Sequence, residues 1–213
     1  MRKDCPLCKG TGFVREGEVV TFCNCRFSTD TVNVTLRIPK RYWNASIEQF
    51  LPDTPSQHEA LDESKRYCMA ERFKEGEGLI YVGPPSVGKT YLAVSVLKHI
   101  YVEHKIRGLF FDTKDLLFII RGLIDTGRDK DLLKLLVDIP VLLLDDLGNE
   151  RLSDWHREIL SYIIVQRYNY VKPTIITTNY PLYSGMDNAE SLEERFGKSI
   201  VSKLEETSTI ISI

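Results

Sequence analysis

The 213-residue sequence has no long hydrophobic run and no strong excess of charge of either sign. No apolar stretch approaches the roughly 20 residues that a membrane-spanning helix needs. The first residues, 1–4, lead into cysteines instead of the apolar segment that an export signal would have. A formal net charge of −2 gives no overall sign of nucleic-acid binding. These absences predict a cytoplasmic globular protein that does not bind membranes.

Cysteine is scarce, but four of the five cysteines lie within 21 residues. They belong to the N-terminal segment 1–41, which carries a formal charge of +4. They form two close pairs, Cys5 with Cys8 and Cys23 with Cys25. Thiolate pairs separated by a hairpin-length insert are typical of a tetrahedral zinc site. The insert predicts strands over 11–15 and 19–23 with a turn over 16–18. Disulfides, which a reducing compartment disfavours, and unrelated thiols are the alternatives.

Residues 83–90 read Gly-Pro-Pro-Ser-Val-Gly-Lys-Thr and match the phosphate-binding pattern G-x-x-x-x-G-K-[ST]. An apolar run over 78–82 predicts a buried strand before this loop, and 91–104 predicts a helix after it. A helix N-terminus with free N–H groups binds phosphate. We expect Lys89 to contact the β- and γ-phosphates and Thr90 to bind Mg²⁺. The predicted nucleotide-binding residues are Gly83, Pro84, Pro85, Ser86, Val87, Gly88, Lys89, Thr90 and Tyr91.

Three more polar residues follow apolar runs. Asp145 and Asp146 come after 141–144, and Asn179 comes after 174–178. Because parallel strands bind ligands at their carboxyl ends, we expect Asp145 to hold Mg²⁺ and Asp146 to orient or deprotonate a water molecule. Asn179 is expected to position that water; a turn residue before Tyr180 is the alternative. No Asn-Lys-x-Asp guanine signature is present, which favours ATP and ADP over GTP.

Apolar runs separated by helical sequence predict an α/β fold with a five-stranded parallel sheet flanked by helices. The expected strands are 78–82, 108–112, 141–145, 174–178 and 207–213. A helix is expected from a capping box at Ser56 and Glu59 to about residue 74. Two further helices, 113–125 and 130–137, would form a hairpin. A long helix over 151–171 would be capped by Ser153.

Single residues on these segments carry their own expectations. Cys68 is expected in the core. Arg151, Arg157 and Arg167 on the long helix are expected to be solvated. The hairpin is expected to be mostly buried, with a contact to a neighbour or a single DNA strand through Phe118 and Arg121 as the sharper hypothesis.

Four sequence words together resemble the AAA+ ATPases of the DnaC-type helicase loader family, with IstB-type transposition ATPases as near relatives. They are Tyr-Val-Gly-Pro-Pro-Ser-Val-Gly-Lys-Thr, Leu-Leu-Leu-Asp-Asp-Leu-Gly, Ser-Asp-Trp-His-Arg-Glu and Thr-Ile-Ile-Thr-Thr-Asn-Tyr. The resemblance implies a P-loop AAA+ core over 41–213 without a C-terminal helical lid. A zinc-binding module over 1–27 and a linker over 28–40 would precede it.

The resemblance also implies a function. The protein would hydrolyse ATP, hold a DnaB-type replicative helicase through its N-terminal module, bind single-stranded DNA and self-associate through the ATPase domains. Arg195 is the expected cation for the ATP of the next subunit, with Lys203 as the alternative. Asp146 stands where AAA+ proteins usually have Glu, and the missing methylene shifts the base by about 1 Å, which predicts slow, switch-like hydrolysis. In the absence of a lid, the aromatic stretch 41–50, with Tyr42, Trp43 and Phe50, is a candidate to cover the adenine; packing of these aromatics on the domain is the alternative.

Three other functions compete with this one. An IstB-type regulator of transposition would coat duplex DNA. A P-loop phosphotransferase acting on a small molecule is disfavoured, because no acceptor-binding motif follows the P-loop. A zinc-stabilised adaptor would carry a vestigial ATPase site.

Overall fold

The computed structural model describes residues 5–16, 19–149, 153–185 and 190–213. Gly17 and Glu18 of the predicted turn, and Arg151 of the predicted long helix, lie outside these ranges. None of the helices in the described ranges has the length and apolar character required to span a bilayer.

Seven strands and eight α-helices form the described structure. The strands are β1 (Phe13–Glu16), β2 (Val19–Phe22), β3 (Gly78–Val82), β4 (Gly108–Asp112), β5 (Val141–Asp145), β6 (Thr174–Thr178) and β7 (Ser208–Ser212). The helices are α1 (Thr29–Thr35), α2 (Pro55–Met69), α3 (Lys89–His104), α4 (Thr113–Leu123), α5 (Asp129–Asp138), α6 (Asp154–Asn169), α7 (Leu192–Phe196) and α8 (Lys198–Glu206).

Five of the strands make one parallel sheet in the order β4-β5-β6-β3-β7, and β1 and β2 make a separate antiparallel hairpin. The predicted fold class and the positions of the five parallel strands are confirmed. In this order β6 lies between β3 and β5. The carboxyl ends of these three strands therefore bring together the P-loop, the acidic pair and Asn179.

Alternate side chains of the buried strands divide the core into two layers, as the two-residue period of a strand requires. Leu79, Leu143 and Ile175 pack with α1, α2 and α3 on one face of the sheet. Leu142 and Ile176 pack with residues of α4 to α8 on the other face. Both faces are covered, which explains why these strands are continuous apolar runs.

The N-cap of helix α2 lies two residues earlier than the sequence suggested. Thr54 is the N-cap: its hydroxyl accepts from the Gln57 backbone N–H, while the Gln57 side chain accepts from the Thr54 N–H. The predicted box at Ser56 and Glu59 is wrong. Pro55 lies at the first helical position, where its missing N–H and fixed φ are compatible with the helix, so the cap must precede it. The helix ends at Met69, and a 3₁₀ turn follows at Arg72–Glu75.

The segment predicted as a linker packs closely on the nucleotide domain. It contains α1, and Val32, Leu36 and Ile38 are buried in the same core cluster as α3. The Phe110 backbone N–H donates to the Leu36 carbonyl at 2.8 Å, which joins this segment to the edge strand β4. Residues 28–40 therefore lie against the sheet as part of its outer layer.

Arg167 is a core residue, so its predicted solvation is wrong. Its side chain is 1% exposed, and its guanidinium donates to the carbonyls of Leu136, Val137, Ile139, Pro140 and Pro173 and to the Thr174 hydroxyl. Burial lowers the pKa of Arg167 to about 9, so the group remains charged at neutral pH. This one side chain connects the C-terminus of α5 to the segments that precede β5 and β6.

Other expectations for single elements hold. Ser153 caps α6 through a capping box with His156, and Arg157 is exposed. Cys68 is buried in the core. The predicted hairpin is present as α4 and α5, with Leu116, Leu117 and Ile120 buried and Phe118 exposed.

Candidate functional site

The P-loop lies between β3 and α3, and its two terminal glycines are required by packing. A Cβ at Gly83 would lie 2.0 Å from the Ile213 carbonyl oxygen, which follows β7. The neighbouring strand therefore excludes a side chain at Gly83. Gly88 has a left-handed φ of +105°, and a Cβ there would lie 2.8 Å from the Phe50 ring.

Lys89 is held at the mouth of this loop. Its ammonium donates to the carbonyls of Gly83 at 2.8 Å and Pro84 at 2.6 Å, and to Asn179 Oδ1 at 2.8 Å. Desolvation lowers the pKa of Lys89, and the nearby Asp145 and Asp146 partly oppose that shift. The structure thus places the lysine and the amide predicted from two distant segments in direct contact.

Asp145 is buried at the end of β5. Its Oδ1 accepts from the Thr90 hydroxyl at 2.8 Å and from the Thr177 hydroxyl at 2.6 Å. Burial raises the pKa of this carboxyl, although both hydroxyls lower it. A hydroxyl and a carboxylate side by side are hard oxygen donors of the kind that Mg²⁺ prefers, so the pair fits the predicted ion. Thr177 was missed in the sequence, because a threonine inside a strand carries no separate signal.

Asp146 is fixed from both sides by amides. Asn179 donates from Nδ2 to Asp146 Oδ1 at 3.2 Å, and Asn149 donates from Nδ2 to Asp146 Oδ2 at 2.6 Å. The Asp146 backbone has a left-handed φ of +59°, and its N–H donates to the Thr177 hydroxyl at 2.8 Å. Such a conformation costs a non-glycine residue about 1 kcal/mol, and it turns the carboxylate toward Asn179. Asn149 was also missed.

Within the P-loop, Ser86 also has a strained backbone, with a left-handed φ of +68°. Relief of about 1–2 kcal/mol of strain outweighs the roughly 0.5–1 kcal/mol of extra unfolded-state entropy of glycine. We therefore expect Ser86→Gly to stabilise the protein by about 0.5 kcal/mol in urea unfolding. Ser56→Gly, in the first turn of α2, is the control and should destabilise it by about 0.5–1 kcal/mol. A loss of stability in Ser86→Gly would contradict the strain argument.

Within the aromatic stretch 41–50, Phe50 is the residue that lies beside the P-loop. Phe50 packs against Gly88 and against the Tyr91 ring, with centroids 5.6 Å apart. The Tyr91 hydroxyl accepts from the Ser46 N–H at 3.4 Å. By contrast, the Trp43 indole donates to a backbone carbonyl at 3.0 Å in the N-terminal segment. Phe50 is therefore the aromatic side chain that borders the P-loop glycine.

Arg195 lies against its own subunit. Its guanidinium is 2.8 Å from the Glu190 carboxylate and 4.6 Å from the centre of the Tyr180 ring. Lys203 donates to the Ser199 hydroxyl at 3.1 Å. A role for either cation at the ATP of a second subunit stays a prediction.

The four N-terminal cysteines converge. The Sγ atoms of Cys5 and Cys23 are 3.7 Å apart, those of Cys8 and Cys25 are 3.4 Å apart, and all four lie within 4.8 Å of one another. Four sulfurs at 2.3 Å from a tetrahedral zinc ion would be about 3.8 Å apart, so the cluster fits Zn²⁺. Burial raises the pKa of Cys8, but nearby N–H groups and thiols lower it to about 6, whereas burial and the neighbouring thiols raise the pKa of Cys25 to about 12.

The packed interior of this module consists of the cysteines and Val14. We therefore expect removal of zinc to unfold residues 5–27 and to leave the larger domain folded, because metal binding supplies about 10 kcal/mol or more in such modules. Zinc content should be one ion per chain, and Cys8→Ser should lose it, while Cys68→Ala should retain it. Amide NMR spectra before and after chelation would report the two regions separately. An unchanged zinc content in Cys8→Ser would contradict this site.

Comparison with known proteins identifies the group to which this site belongs. The family of IstB-like ATP binding proteins matches residues 65–212. A protein of insertion sequence IS5376 from Geobacillus stearothermophilus is 29% identical over 103 residues, which is 48% of this chain and 40% of the relative. The replicative helicase loader DnaC of Buchnera aphidicola subsp. Schizaphis graminum is 27% identical over 155 residues, 71% of this chain and 61% of that protein.

A crystal structure of the DnaC helicase loader is 48% identical, with a TM-score of 0.74, over 82% of this chain and 99% of that chain. The chain spans only about 40–61% of the length of the two curated relatives. The family match covers the P-loop, the acidic pair and Asn179. The chain therefore belongs to the family of IstB-like ATP binding proteins and has the fold of the DnaC helicase loader.

Proposed function

We propose that this protein is a cytoplasmic, ATP-switched loader of a DnaB-type replicative helicase that acts at the initiation of DNA replication. The proposal rests mainly on the similarity to a crystal structure of the DnaC helicase loader. The two sequences are 48% identical, and the match covers 99% of that chain and 82% of this one. The protein would self-associate through its ATPase domains and bind single-stranded DNA while it opens or delivers the helicase ring.

The site residues support ATP hydrolysis. Lys89 would leave the carbonyls of Gly83 and Pro84 to contact the β- and γ-phosphates, and the free N–H groups at the start of α3 would contact the remaining phosphate oxygens. Asp146 would accept a proton from the attacking water, which Asn179 would help to position. Thr90 and Asp145 would hold Mg²⁺, which neutralises charge on the phosphates when it is bound.

Two features support slow hydrolysis. Asp146 has a shorter reach than Glu, and amides already occupy both of its carboxylate oxygens. The carboxylate would therefore have to take the water on the lone pairs that these amides leave free, while the amides restrain it from moving toward the water. Arg195 would also have to leave Glu190 and Tyr180 to reach the ATP of a second subunit. Slow hydrolysis that also depends on Arg195 from a second subunit is the behaviour expected of a switch controlled by self-association.

The N-terminal module supports a docking role. Five apolar side chains of this small unit are exposed: Leu7, Phe13, Val19, Val20 and Phe22. The Arg26 guanidinium lies 5.1 Å from the Phe13 ring centre and 4.5 Å from that of Phe22. An apolar surface with a cation at its edge is typical of a site for a protein partner. The helicase is the partner that we propose for it.

Co-elution of the chain with the replicative helicase of its own source tests the proposal. We expect a complex in ATP that weakens without nucleotide and is lost in Cys5→Ser/Cys8→Ser. Cys68→Ala, which removes a thiol from α2 instead, is the matched control and should behave as the wild type. A complex that survives loss of both cysteines would remove the module from the interface. The absence of any complex would remove the loader function.

A second candidate function is supported by the family match and by the relative from insertion sequence IS5376. An IstB-type regulator of transposition would coat duplex DNA. Binding of duplex DNA in ATP, with no helicase complex, would favour this function over the first.

A further inference from the structure

A cleft of 420 Å³ opens beside Asp145, at the carboxyl end of the edge strand β4. Tyr42, Phe118 and Phe111 contribute aromatic side chains to its walls, and Arg37 contributes a cation. The Phe118 side chain is 81% exposed, although its neighbours on α4 are buried. Together with the aromatic and cationic lining of the cleft, this exposed ring makes the cleft a candidate binding site.

Arg37 is held at this cleft by a strained backbone. It has a left-handed φ of +62°, and its guanidinium carbon lies 4.5 Å from the centre of the Phe111 ring. Hydrogen bonds fix the residues on both sides: Leu36 accepts from the Phe110 N–H at 2.8 Å, and the Ile38 N–H donates to the Asn33 carbonyl at 2.8 Å. Strain of this kind persists where the surroundings over-determine it and is concentrated at functional positions.

The residues that line the cleft favour the binding of one nucleotide of a single strand. Aromatic faces stack on bases of any sequence, and a guanidinium pairs with phosphate. The carboxylates of Asp112 and Asp115 also line the cleft, where they would repel a second phosphate and accept hydrogen bonds from the amino groups of bases. The volume lies within the range of small-molecule sites.

The adenine of bound ATP is a poorer occupant. Lys89, Thr90 and Asp145 are placed for the β- and γ-phosphates and their metal ion, and the base of ATP lies at the opposite end of the triphosphate. The cleft meets this site at Asp145, the metal end. A base inside the cleft must therefore come from another molecule.

We propose that this cleft binds an unstacked base of a single DNA strand, with Arg37 on the adjacent phosphate. The inference rests on the single-strand binding in the proposed function and names its site. The cleft is also connected to the acidic pair. The Thr113 hydroxyl, at the start of α4, donates to the carbonyls of Asp145 at 3.2 Å and Asp146 at 3.1 Å. A strand that moves α4 therefore also moves the two acids.

Fluorescence anisotropy of labelled oligo-dC and oligo-dT with the full chain tests the site. We expect Arg37→Ala and Phe118→Ala to weaken binding by about tenfold or more. Arg41→Ala, which removes a nearby exposed cation outside the cleft, is the control and should bind as the wild type. The wild type should prefer dC, whose amino group is a donor, and Asp115→Asn should reduce that preference. Both truncated side chains are exposed, so the variants are expected to fold.

The outcomes separate this inference from the proposed function. If the wild type binds the strand and both variants bind it equally well, the DNA lies elsewhere and the cleft assignment is overturned alone. If the wild type binds no strand but still co-elutes with the helicase, single-strand binding is overturned and loading stands. A fluorescent ATP analogue should bind the variants normally. Loss of that binding instead would assign the cleft to the adenine of ATP and overturn the proposal.

Discussion

Asp145→Asn is expected to abolish ATP hydrolysis and at the same time to stabilise the nucleotide-free protein. Loss of the carboxylate removes the proposed Mg²⁺ ligand, worth several kcal/mol in the transition state, which corresponds to a fall in rate of about 100-fold or more. The asparagine Oδ1 can still accept from Thr90 and Thr177, which now donate to the aspartate. The fold is therefore retained while the cost of burying a charge disappears, and we expect a gain of about 1 kcal/mol at neutral pH.

The pH dependence of that gain has a definite sign. Burial raises the pKa of Asp145 above its unfolded value, so between the two pKa values the native state binds more protons than the unfolded state. The free energy of unfolding of the wild type therefore falls as pH rises through this window. The advantage of Asp145→Asn should be smallest below the unfolded pKa, near 4, and largest above the folded pKa.

Urea unfolding in the presence of a chelator, repeated from pH 4 to pH 8, measures this difference. Asp62→Asn is the matched control, because Asp62 is an exposed residue of α2 in a surface ion pair with Lys65 at 3.8 Å. It should change stability by less than about 0.5 kcal/mol and leave hydrolysis intact. A destabilised Asp145→Asn at pH 8 would show that its hydrogen bonds outweigh the cost of its burial.

Arg167→Met is expected to cause the largest loss of stability, about 3–5 kcal/mol. Methionine fills part of the volume but removes the donor to the buried carbonyls of Leu136, Val137 and Ile139, and each unsatisfied group costs about 1–3 kcal/mol. The positive charge also stabilises the C-terminus of α5, where the Leu136 and Val137 carbonyls end the helix. Loss of this group would loosen the attachment of α5 to the sheet.

Two comparisons make the Arg167 prediction specific. Arg157→Met, an exposed position one helix face away on α6, should cost less than about 0.5 kcal/mol, because its ion pair with Asp154 spans 3.8 Å at the surface. Arg167→Lys should lie between the two, because the ammonium keeps the charge but cannot reach acceptors on three sides. Equal stability of the methionine variants at 157 and 167 would show that the buried network contributes nothing.

The convergence of the four N-terminal cysteines was predictable because metal ligation depends on residue type and spacing. Two thiol pairs on either side of a short insert can converge regardless of the rest of the chain, and the structure brings all four sulfurs together. The surface of the module was not predictable. Phe13 and Phe22 are paired across the hairpin, so their shared exposed face with Arg26 depends on strand register.

Long-range packing explains the errors in the prediction. Arg167 has the same local pattern as Arg157, and only the arrival of α5 and the segment before β6 buries it. A glycine is required at position 83 because the Ile213 carbonyl, 130 positions away in the chain, leaves no room for a Cβ. Phe50 belongs to the aromatic stretch 41–50 that was expected near the nucleotide, but only the packing shows that its ring is the one against Gly88.

By itself, the sequence determined the five parallel strands, the phosphate loop, the acidic pair, the amide at Asn179 and the cysteine ligands. Each of these depends on local order: apolar runs make buried strands, and polar residues directly after them lie at one sheet edge. Only the tertiary structure decided which side chains meet there. Lys89, Asn179, Asp146 and Asn149 form one connected chain of hydrogen bonds because the strand order places β6 between β3 and β5. Strand order depends on the packing of helices from the whole chain, which no single segment encodes.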